Sequence, residues 1–210
     1  MARDPFSAIV LAGGRSARMG RAKATLPFGG VTLIERIVAE LRRVTDDIVV
    51  VTAPETDAIA LPELGTAKIV RDQCAYRGPV GALARGLREA RHEGAFACSC
   101  DLPMLRAEVV AWIASLLSNS CSHDAAVPQI GGKFQPLHAA YRRRYAAALE
   151  AMLAREEYRL SSIVGAAEVR IISEDEYRRV DPDALSCFNI NTPADYGRAL
   201  KLAGITAPAS

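Results

Sequence analysis

The chain has 210 residues, of which 50% are hydrophobic and 24% are charged, and its formal net charge is +2 at pH 7. This composition is that of an ordinary globular protein, and so small a charge does not argue for a nucleic-acid or membrane partner. No apolar run approaches the roughly 20 residues of a membrane-spanning helix. The first five residues include an acid and a proline and lead into no signal-peptide core, so we predict a cytoplasmic protein with neither kind of partner.

The length suits one sizeable hydrophobic core, and we predict one domain over residues 1–210 with frayed ends at 1–6 and 205–210. Five cysteines without a secretion signal argue against a disulfide framework. The Cys98-Ser99-Cys100 pair is most simply two small buried side chains, because no second pair lies at metal-binding spacing.

The first predicted strand is the apolar run at 8–12, which is rich in β-branched residues and ends at Gly13-Gly14. The cations Arg15, Arg18, Arg21 and Lys23 follow within a few residues. Glycines let backbone N–H groups approach a phosphate, and the cations offset its charge. A solvated turn is the alternative interpretation, but the length and order of the segment favour phosphate binding. The P-loop and the dinucleotide fingerprint are both absent.

The rest of the chain alternates predicted helices and strands, which is typical of an α/β fold with a mostly parallel sheet. Thr32 and Glu35 form a potential capping box at the start of the first helix. The acidic segment 174–183 is predicted to be surface loop, and the arginines at 142–144 are predicted to start a helix with a solvated face. The further strands are predicted at 47–52, 67–71, 95–100, 125–128, 135–141 and 169–173, and the helices at about 32–41, 77–92, 109–117, 142–154, 160–165 and 194–203.

Several chemically useful residues follow predicted strands, where open α/β sheets bind their ligands. Thr52, Asp72 and Asp101 fall at such ends together with the Gly13-Gly14 loop. Two carboxylates beside a cationic glycine loop suggest a site for a metal and a nucleoside triphosphate. Asp101 would bind Mg²⁺, while Arg18 and Lys23 would hold the β- and γ-phosphates and stabilise the departing pyrophosphate.

Five segments, which follow one another along most of the chain, resemble the molybdenum cofactor guanylyltransferases. These enzymes belong to the wider group of MobA-like nucleotidyltransferases. The resemblance implies a single-domain, three-layer αβα, Rossmann-like (GT-A-like) fold. It also implies transfer of GMP from Mg·GTP to the terminal phosphate of molybdopterin, with release of pyrophosphate. Delivery proteins or acceptor enzymes are further partners that it implies. The segments are 11–23, Gly78-Pro79, Cys100-Asp101-Leu102-Pro103, Gln135-Pro136-Leu137-His138-Ala139 and Phe188-Asn189-Ile190-Asn191-Thr192-Pro193.

Roles for individual residues follow from the same resemblance. Thr52 stands where this family often has asparagine as a nucleotide contact, and this departure weakens the indication for guanine. Gly14 favours guanine, because the related cytidylyltransferases tend to read Ala-Ala-Gly at this point. Asp101 would ligate Mg²⁺ and act in catalysis with Arg18 and Lys23. The nucleotide would be bound by Leu11, Ala12, Gly13, Gly14, Lys23, Thr52, Asp72, Gly78 and Asp101, and the acceptor by Gln135, Asn189 and Asn191.

The attacking phosphate monoester is already anionic at neutral pH, so positioning and electrostatics suffice without a general base. His138 is accordingly predicted to be structural. The alternatives are a CTP-dependent or sugar-phosphate nucleotidylyltransferase and a non-catalytic nucleotide-binding maturation module. A dinucleotide oxidoreductase is disfavoured by the absence of the glycine fingerprint.

Overall fold

A computed structural model describes residues 4–13, 22–54, 60–72, 78–117, 122–165 and 168–206. Its centre is an eight-stranded sheet, and a two-stranded hairpin lies outside it. The strands are β1 (Phe6–Leu11), β2 (Pro27–Phe28), β3 (Val31–Thr32), β4 (Ile48–Thr52), β5 (Lys68–Arg71), β6 (Gly94–Ser99), β7 (Ala125–Ile130), β8 (Lys133–Phe134), β9 (His138–Arg142) and β10 (Val169–Ile172). The α-helices are α1 (Leu33–Arg42), α2 (Gly78–Glu89), α3 (Ala107–Ser115), α4 (Ala146–Ala154), α5 (Glu174–Arg178) and α6 (Pro193–Leu202).

The strands of the main sheet run in the order β10-β7-β9-β6-β1-β4-β5, with β8 paired to β7. Neighbours from β6 to β5 are parallel, and so are β7 and β10. Strand β9 is antiparallel to both β6 and β7. The predicted mostly parallel sheet is therefore confirmed, with β9 as the inserted antiparallel strand.

The apolar run of β1 forms a central strand because both of its faces are buried. Ala8 and Val10 pack into one hydrophobic cluster with residues of α1 and α3, while Ile9 and Leu11 pack into another with residues of α2 and α4. Successive side chains of a strand point to opposite faces, so one strand supplies both cores. This produces the three layers of the fold.

The capping box predicted at the start of α1 is present. The Glu35 backbone N–H donates to Thr32 Oγ1 at 3.4 Å, and the Thr32 N–H donates to Glu35 Oε2 at 2.7 Å. These bonds satisfy amide groups that the first helical turn leaves without partners. One stripe of this helix faces the core, because Leu33, Ile34, Ile37, Val38 and Leu41 are all buried.

The predicted strand at 135–141 was wrong at its start, because β9 begins only at His138. Residues 135–137 form a turn in which the His138 N–H donates to Gln135 O at 3.0 Å. Pro136 has no N–H to contribute to a strand ladder, which accounts for the late start. Arg142 was also misassigned: it ends β9, is 5% exposed and donates from Nε to His123 O at 3.0 Å.

The segment 174–183 is not a surface loop, contrary to the prediction. Its acids form the first turn of α5, where negative charge suits the positive end of a helix. Tyr177 on this helix is fully buried, and Asp181 just beyond it is 2% exposed.

Phe6, expected in a frayed end, is buried in β1. Among the described residues, no helix is both long enough and apolar enough to cross a bilayer.

Candidate active site

The candidate site lies at the carboxyl edge of the parallel strands β6, β1, β4 and β5. Leu11 at the end of β1 is in register with Val51 of β4 on one side and with Ser99 of β6 on the other. Beyond these pairs, the Ala12 N–H donates to Val51 O at 2.8 Å and the Cys100 N–H donates to Leu11 O at 3.1 Å. The segments that follow the three strands therefore leave the sheet side by side. Strand β1 is flanked by strands that come later in the chain on both sides, which is the topological switch point where such sheets bind ligands.

The centre of the site is the ion pair between Lys23 and Asp101. Lys23 Nζ lies 2.7 Å from Asp101 Oδ2, and their side chains are 19% and 12% exposed. Lys23 Nζ also donates to the side-chain oxygen of Asn191 at 2.9 Å. Three residues that the sequence placed in different roles thus form one hydrogen-bonded group, which we call the edge cluster (Lys23, Asp101 and Asn191).

The Asp101 carboxylate is oriented by Ser99 as well as by Lys23. The Ser99 hydroxyl donates a hydrogen bond to Asp101 Oδ1, and Lys23 Nζ donates one to Asp101 Oδ2. A carboxylate has about four acceptor positions on its two oxygens, so these bonds leave room for a cation. Mg²⁺ commonly takes only one or two protein carboxylates and completes its shell with phosphates and water. The described residues hold no group of three or more His, Cys, Asp or Glu side chains that could bind a metal ion.

The segment 188–193, which we call the C-terminal segment, reaches the site through a hydrogen bond to the backbone of Asp101. The Ile190 N–H donates to Asp101 O at 2.9 Å, and the Ile190 side chain is fully buried. This places Asn191 beside Lys23. Asn189 lies in the same segment but donates from Nδ2 to Cys187 O at 3.1 Å.

The predicted nucleotide residues of β1 and β4 lie together at this edge. The side chains of Leu11 and Ala12 are buried, and the Ala12 N–H and the Leu11 carbonyl are bonded to the neighbouring segments. Gly13 has no room for a side chain, because a Cβ atom there would lie 2.7 Å from the backbone nitrogen of Ala53. The Thr52 hydroxyl points to Val70 O and Ala53 O, each at 3.3 Å, so its one hydrogen is already engaged by the backbone.

The remaining predicted site residues lie further along the same edge. The Asp72 N–H donates to Thr52 O at 2.9 Å, which places its carboxylate immediately after β5. Gly78 opens α2 with a φ of +66°, and a Cβ atom there would lie 2.7 Å from Tyr158 O. The Gln135 turn adjoins β6, because the Ser99 N–H donates to Leu137 O at 3.3 Å. Gly14 and Arg18 lie outside the described residues.

His138 does not belong to the site, as the sequence predicted. It is 1% exposed, and its Nε2 lies 2.8 Å from the Tyr177 hydroxyl. Burial lowers the pKa of His138 to about 3 and raises the pKa of the Cys100 thiol to about 12. Cys98 is fully buried, and burial raises its pKa further still. These groups are uncharged at neutral pH, and the interpretation of the cysteines as buried apolar side chains agrees with their positions.

Ser99 is the site residue that the sequence interpretation missed. The local signal was available: Ser99 and Asp101 are two residues apart at the end of a strand, a spacing that brings side chains to one side. The bond between Lys23 and Asn191 had no such signal, because 168 residues separate the two.

Known proteins resemble this chain over most of its length. The model of the MobA-like NTP transferase domain family matches residues 8–171. A relative from Desulfosudis oleivorans named molybdenum cofactor guanylyltransferase is 33% identical, over 93% of this chain and 95% of its own. Molybdopterin-guanine dinucleotide biosynthesis protein A from Archaeoglobus fulgidus superposes with a TM-score of 0.82 at 24% identity, covering 95% of this chain and 99% of the other. The 2-C-methyl-D-erythritol 4-phosphate cytidylyltransferase from Thermus thermophilus gives a TM-score of 0.67 at 20% identity, covering 96% and 100%. These likenesses confirm the predicted α/β nucleotidyltransferase fold. A cytidylyltransferase has the same fold, so the fold alone does not select the base.

Proposed function

The chain belongs to the MobA-like NTP transferase family and is a nucleotidyltransferase, and from this premise we propose its donor, acceptor and products. The enzyme transfers GMP from Mg·GTP to the terminal phosphate of molybdopterin or the molybdenum cofactor. Pyrophosphate leaves and a guanine dinucleotide form of the cofactor is produced. The observation that carries the proposal is the edge cluster, in which Lys23 bridges Asp101 and Asn191 at the carboxyl edge of the sheet.

Asp101 is proposed as the metal ligand on the donor side. Its carboxylate is held by Ser99 and Lys23 and retains acceptor positions that a cation can use. Bound Mg²⁺ would supply positive charge against the phosphates of the nucleotide. Lys23 offers a second positive charge within 2.7 Å of the same carboxylate, where it can stabilise charge developing on the pyrophosphate.

The nucleotide itself is proposed to lie along the ends of β1, β4 and β5. The main chain of Leu11, Ala12 and Gly13 is proposed to line the guanine pocket, as the resemblance to the family implies, since the side chains of Leu11 and Ala12 are buried. Thr52 and Asp72 are proposed contacts on the next two strands, and Gly78 at the start of α2. Gly14 and Arg18 are proposed as further phosphate contacts from the sequence alone.

The acceptor needs no general base, because its attacking phosphate monoester is already anionic at neutral pH. The residues must instead reduce repulsion between two anions and keep them in line. His138 does not serve this purpose, since it is buried against Tyr177. Gln135 and Asn189 are proposed on the acceptor side, one from the turn before β9 and the other from the C-terminal segment.

Guanine is proposed as the base because relatives covering more than nine-tenths of the chain are named molybdenum cofactor guanylyltransferases. Calorimetric titration with GTP and with CTP, each with Mg²⁺, tests this choice. We expect GTP to bind more tightly. Preferential binding of CTP would contradict the guanine assignment.

The complete reaction is tested by incubating the protein with GTP, Mg²⁺ and molybdenum cofactor. We expect equal amounts of pyrophosphate and guanine dinucleotide product, and neither product when the acceptor is omitted. Transfer to a sugar phosphate but not to the cofactor would reject the proposed acceptor, and nucleotide binding without any transfer would favour a non-catalytic module. The single domain, the cytoplasmic location and the delivery partners stay predictions.

A further inference from the structure

Asn191 contacts the residue that the proposed function assigns to the phosphates of the nucleotide. Its side-chain oxygen accepts a hydrogen bond from Lys23 Nζ at 2.9 Å, and the same ammonium group lies 2.7 Å from Asp101 Oδ2. The resemblance to known proteins implied a different role for Asn191, as an acceptor contact. The amide oxygen, however, faces the lysine.

The backbone of Asn191 is held in place by the cap of α6. The N–H groups of Asn191 and Thr192 both donate to Asp195 Oδ2, at 3.0 and 2.8 Å. The Asp195 N–H donates back to the Thr192 hydroxyl at 3.1 Å, which completes a capping box. The bond from Ile190 to the backbone of Asp101 secures the other side. Asn191 is thus an exposed side chain on a fixed backbone.

A fixed neutral hydrogen-bond acceptor restricts the conformations of a lysine side chain. A lysine side chain has many rotamers, and restricting them in advance removes an entropic penalty from ligand binding. An amide oxygen can restrict the lysine rotamers without adding negative charge. A second carboxylate beside Asp101 would instead give the edge cluster a net negative charge. Such a charge would repel a triphosphate.

We propose that Asn191 is a positioning residue that orients the Lys23 ammonium for the phosphates of the nucleotide. The C-terminal segment thereby takes part in donor binding as well as in acceptor binding. This inference rests on the proposed function, because it assumes that Lys23 meets a nucleoside triphosphate.

The test is a double-mutant cycle on GTP affinity, measured by calorimetry in Mg²⁺. Asn191→Leu removes the acceptor oxygen at similar size, and we expect it to weaken GTP binding by about 5- to 10-fold, the range of one net hydrogen bond. Lys23→Met should weaken binding more strongly. In the Lys23→Met background, Asn191→Leu should have no further effect, because the group through which it acts is gone.

Two further variants separate this role from others. Asn191→Asp keeps an acceptor oxygen but adds negative charge, so we expect weaker GTP binding that worsens as salt is lowered. Asn189→Leu is the matched control, because that amide bonds to Cys187 O rather than to Lys23. It should change the KM for the acceptor and leave GTP affinity as it is. If Asn191→Leu melts at a lower temperature than the wild type, Asn191→Ala is used to repeat the test.

Three results would overturn the inference. Asn191→Leu could leave GTP affinity unchanged, could weaken it equally with and without Lys23, or could raise only the KM for the acceptor. Any of these with a wild type that binds GTP rejects the positioning role while the proposed function stands. A wild type that binds no GTP rejects the proposed function and this role of Asn191 with it.

Discussion

Two polar groups lie near one another in the sheet, yet they differ in their access to solvent. Strand β6 faces His138 across the ladder at Cys98, and three residues later the same segment delivers Asp101 to the edge cluster. His138 and Tyr177 form what we call the buried pair. Both groups join the middle of the sheet to the C-terminal part of the chain. Only the edge cluster remains accessible to a ligand.

The difference between the two groups is solvent access. His138 and Tyr177 are at most 1% exposed, and burial lowers the pKa of the imidazole and raises that of the phenol. Their hydrogen bond gives Nε2 of the imidazole a partner, while the buried Nδ1 has none among the described residues. The edge cluster instead holds a cation and a carboxylate that are 19% and 12% exposed, with acceptor positions to spare. A ligand can therefore reach the edge cluster, whereas the buried pair is closed to it.

The largest expected effect comes from removing the charge of the edge cluster. Asp101→Asn keeps the size of the side chain and an oxygen for Lys23, but it loses the negative charge that a divalent cation requires. We expect kcat to fall on the order of 1,000-fold, because metal and phosphate electrostatics contribute several kcal/mol to such reactions. Pyrophosphate release measures the rate, and thermal melting is expected to show a folded protein. An unchanged rate would remove Asp101 as the metal ligand.

The buried pair should respond in stability rather than in activity. Tyr177→Phe leaves His138 Nε2 without its partner, so we expect the free energy of unfolding to fall by about 1–3 kcal/mol. Urea denaturation measures this loss. Tyr196→Phe is the matched control, because the Tyr196 hydroxyl donates to Pro27 O at an exposed position, and a smaller loss is expected there. GTP affinity that fell in parallel with stability would contradict the separation of the two groups.

The buried imidazole should also make folding depend on pH. The pKa of His138 is lowered by burial to about 3, while the unfolded chain has the ordinary value of about 6.5. Between these values the unfolded state binds the extra proton, so stability is full above pH 6.5 and falls with decreasing pH, by up to about 1.4 kcal/mol per pH unit. Urea midpoints from pH 7 to pH 4 should show a weaker pH dependence in His138→Leu than in the wild type. His92→Leu, which removes a less buried imidazole, controls for other titrating groups, and equal slopes in all three proteins would contradict this prediction.

The smallest expected effect comes from removing the hydroxyl that orients Asp101, the proposed metal ligand. Ser99→Ala removes the hydroxyl that donates to Asp101 Oδ1 and leaves the carboxylate itself intact. We expect kcat to fall by about 3- to 10-fold, the size of one net hydrogen bond. Ser115→Ala is the control, because that hydroxyl donates to Trp112 O on the surface of α3. A loss as large as that of Asp101→Asn would show that Ser99 does more than orient the carboxylate.

Much of the fold follows from local patterns that the sequence displays. The runs in β1 and β4 are buried strands because their apolar residues are continuous, and the start of α1 follows from a capping box within four residues. The predictions failed where local pattern and burial disagree. The acids before Tyr177 resemble a loop, yet they form the first turn of a short helix that Ser173 caps and one buried aromatic ring holds.

By itself, the sequence determined the alternation of helices and strands, the family and the candidate residues at the strand ends. These depend on neighbours within a few positions or on motifs in a fixed order. Only the tertiary structure decided that Asn191 faces Lys23 and that His138 is closed against Tyr177. Lys23 is 78 residues from Asp101 and 168 from Asn191, and no local preference encodes contacts over such separations. They arise from the way the sheet order and the cap of α6 bring distant segments to one edge.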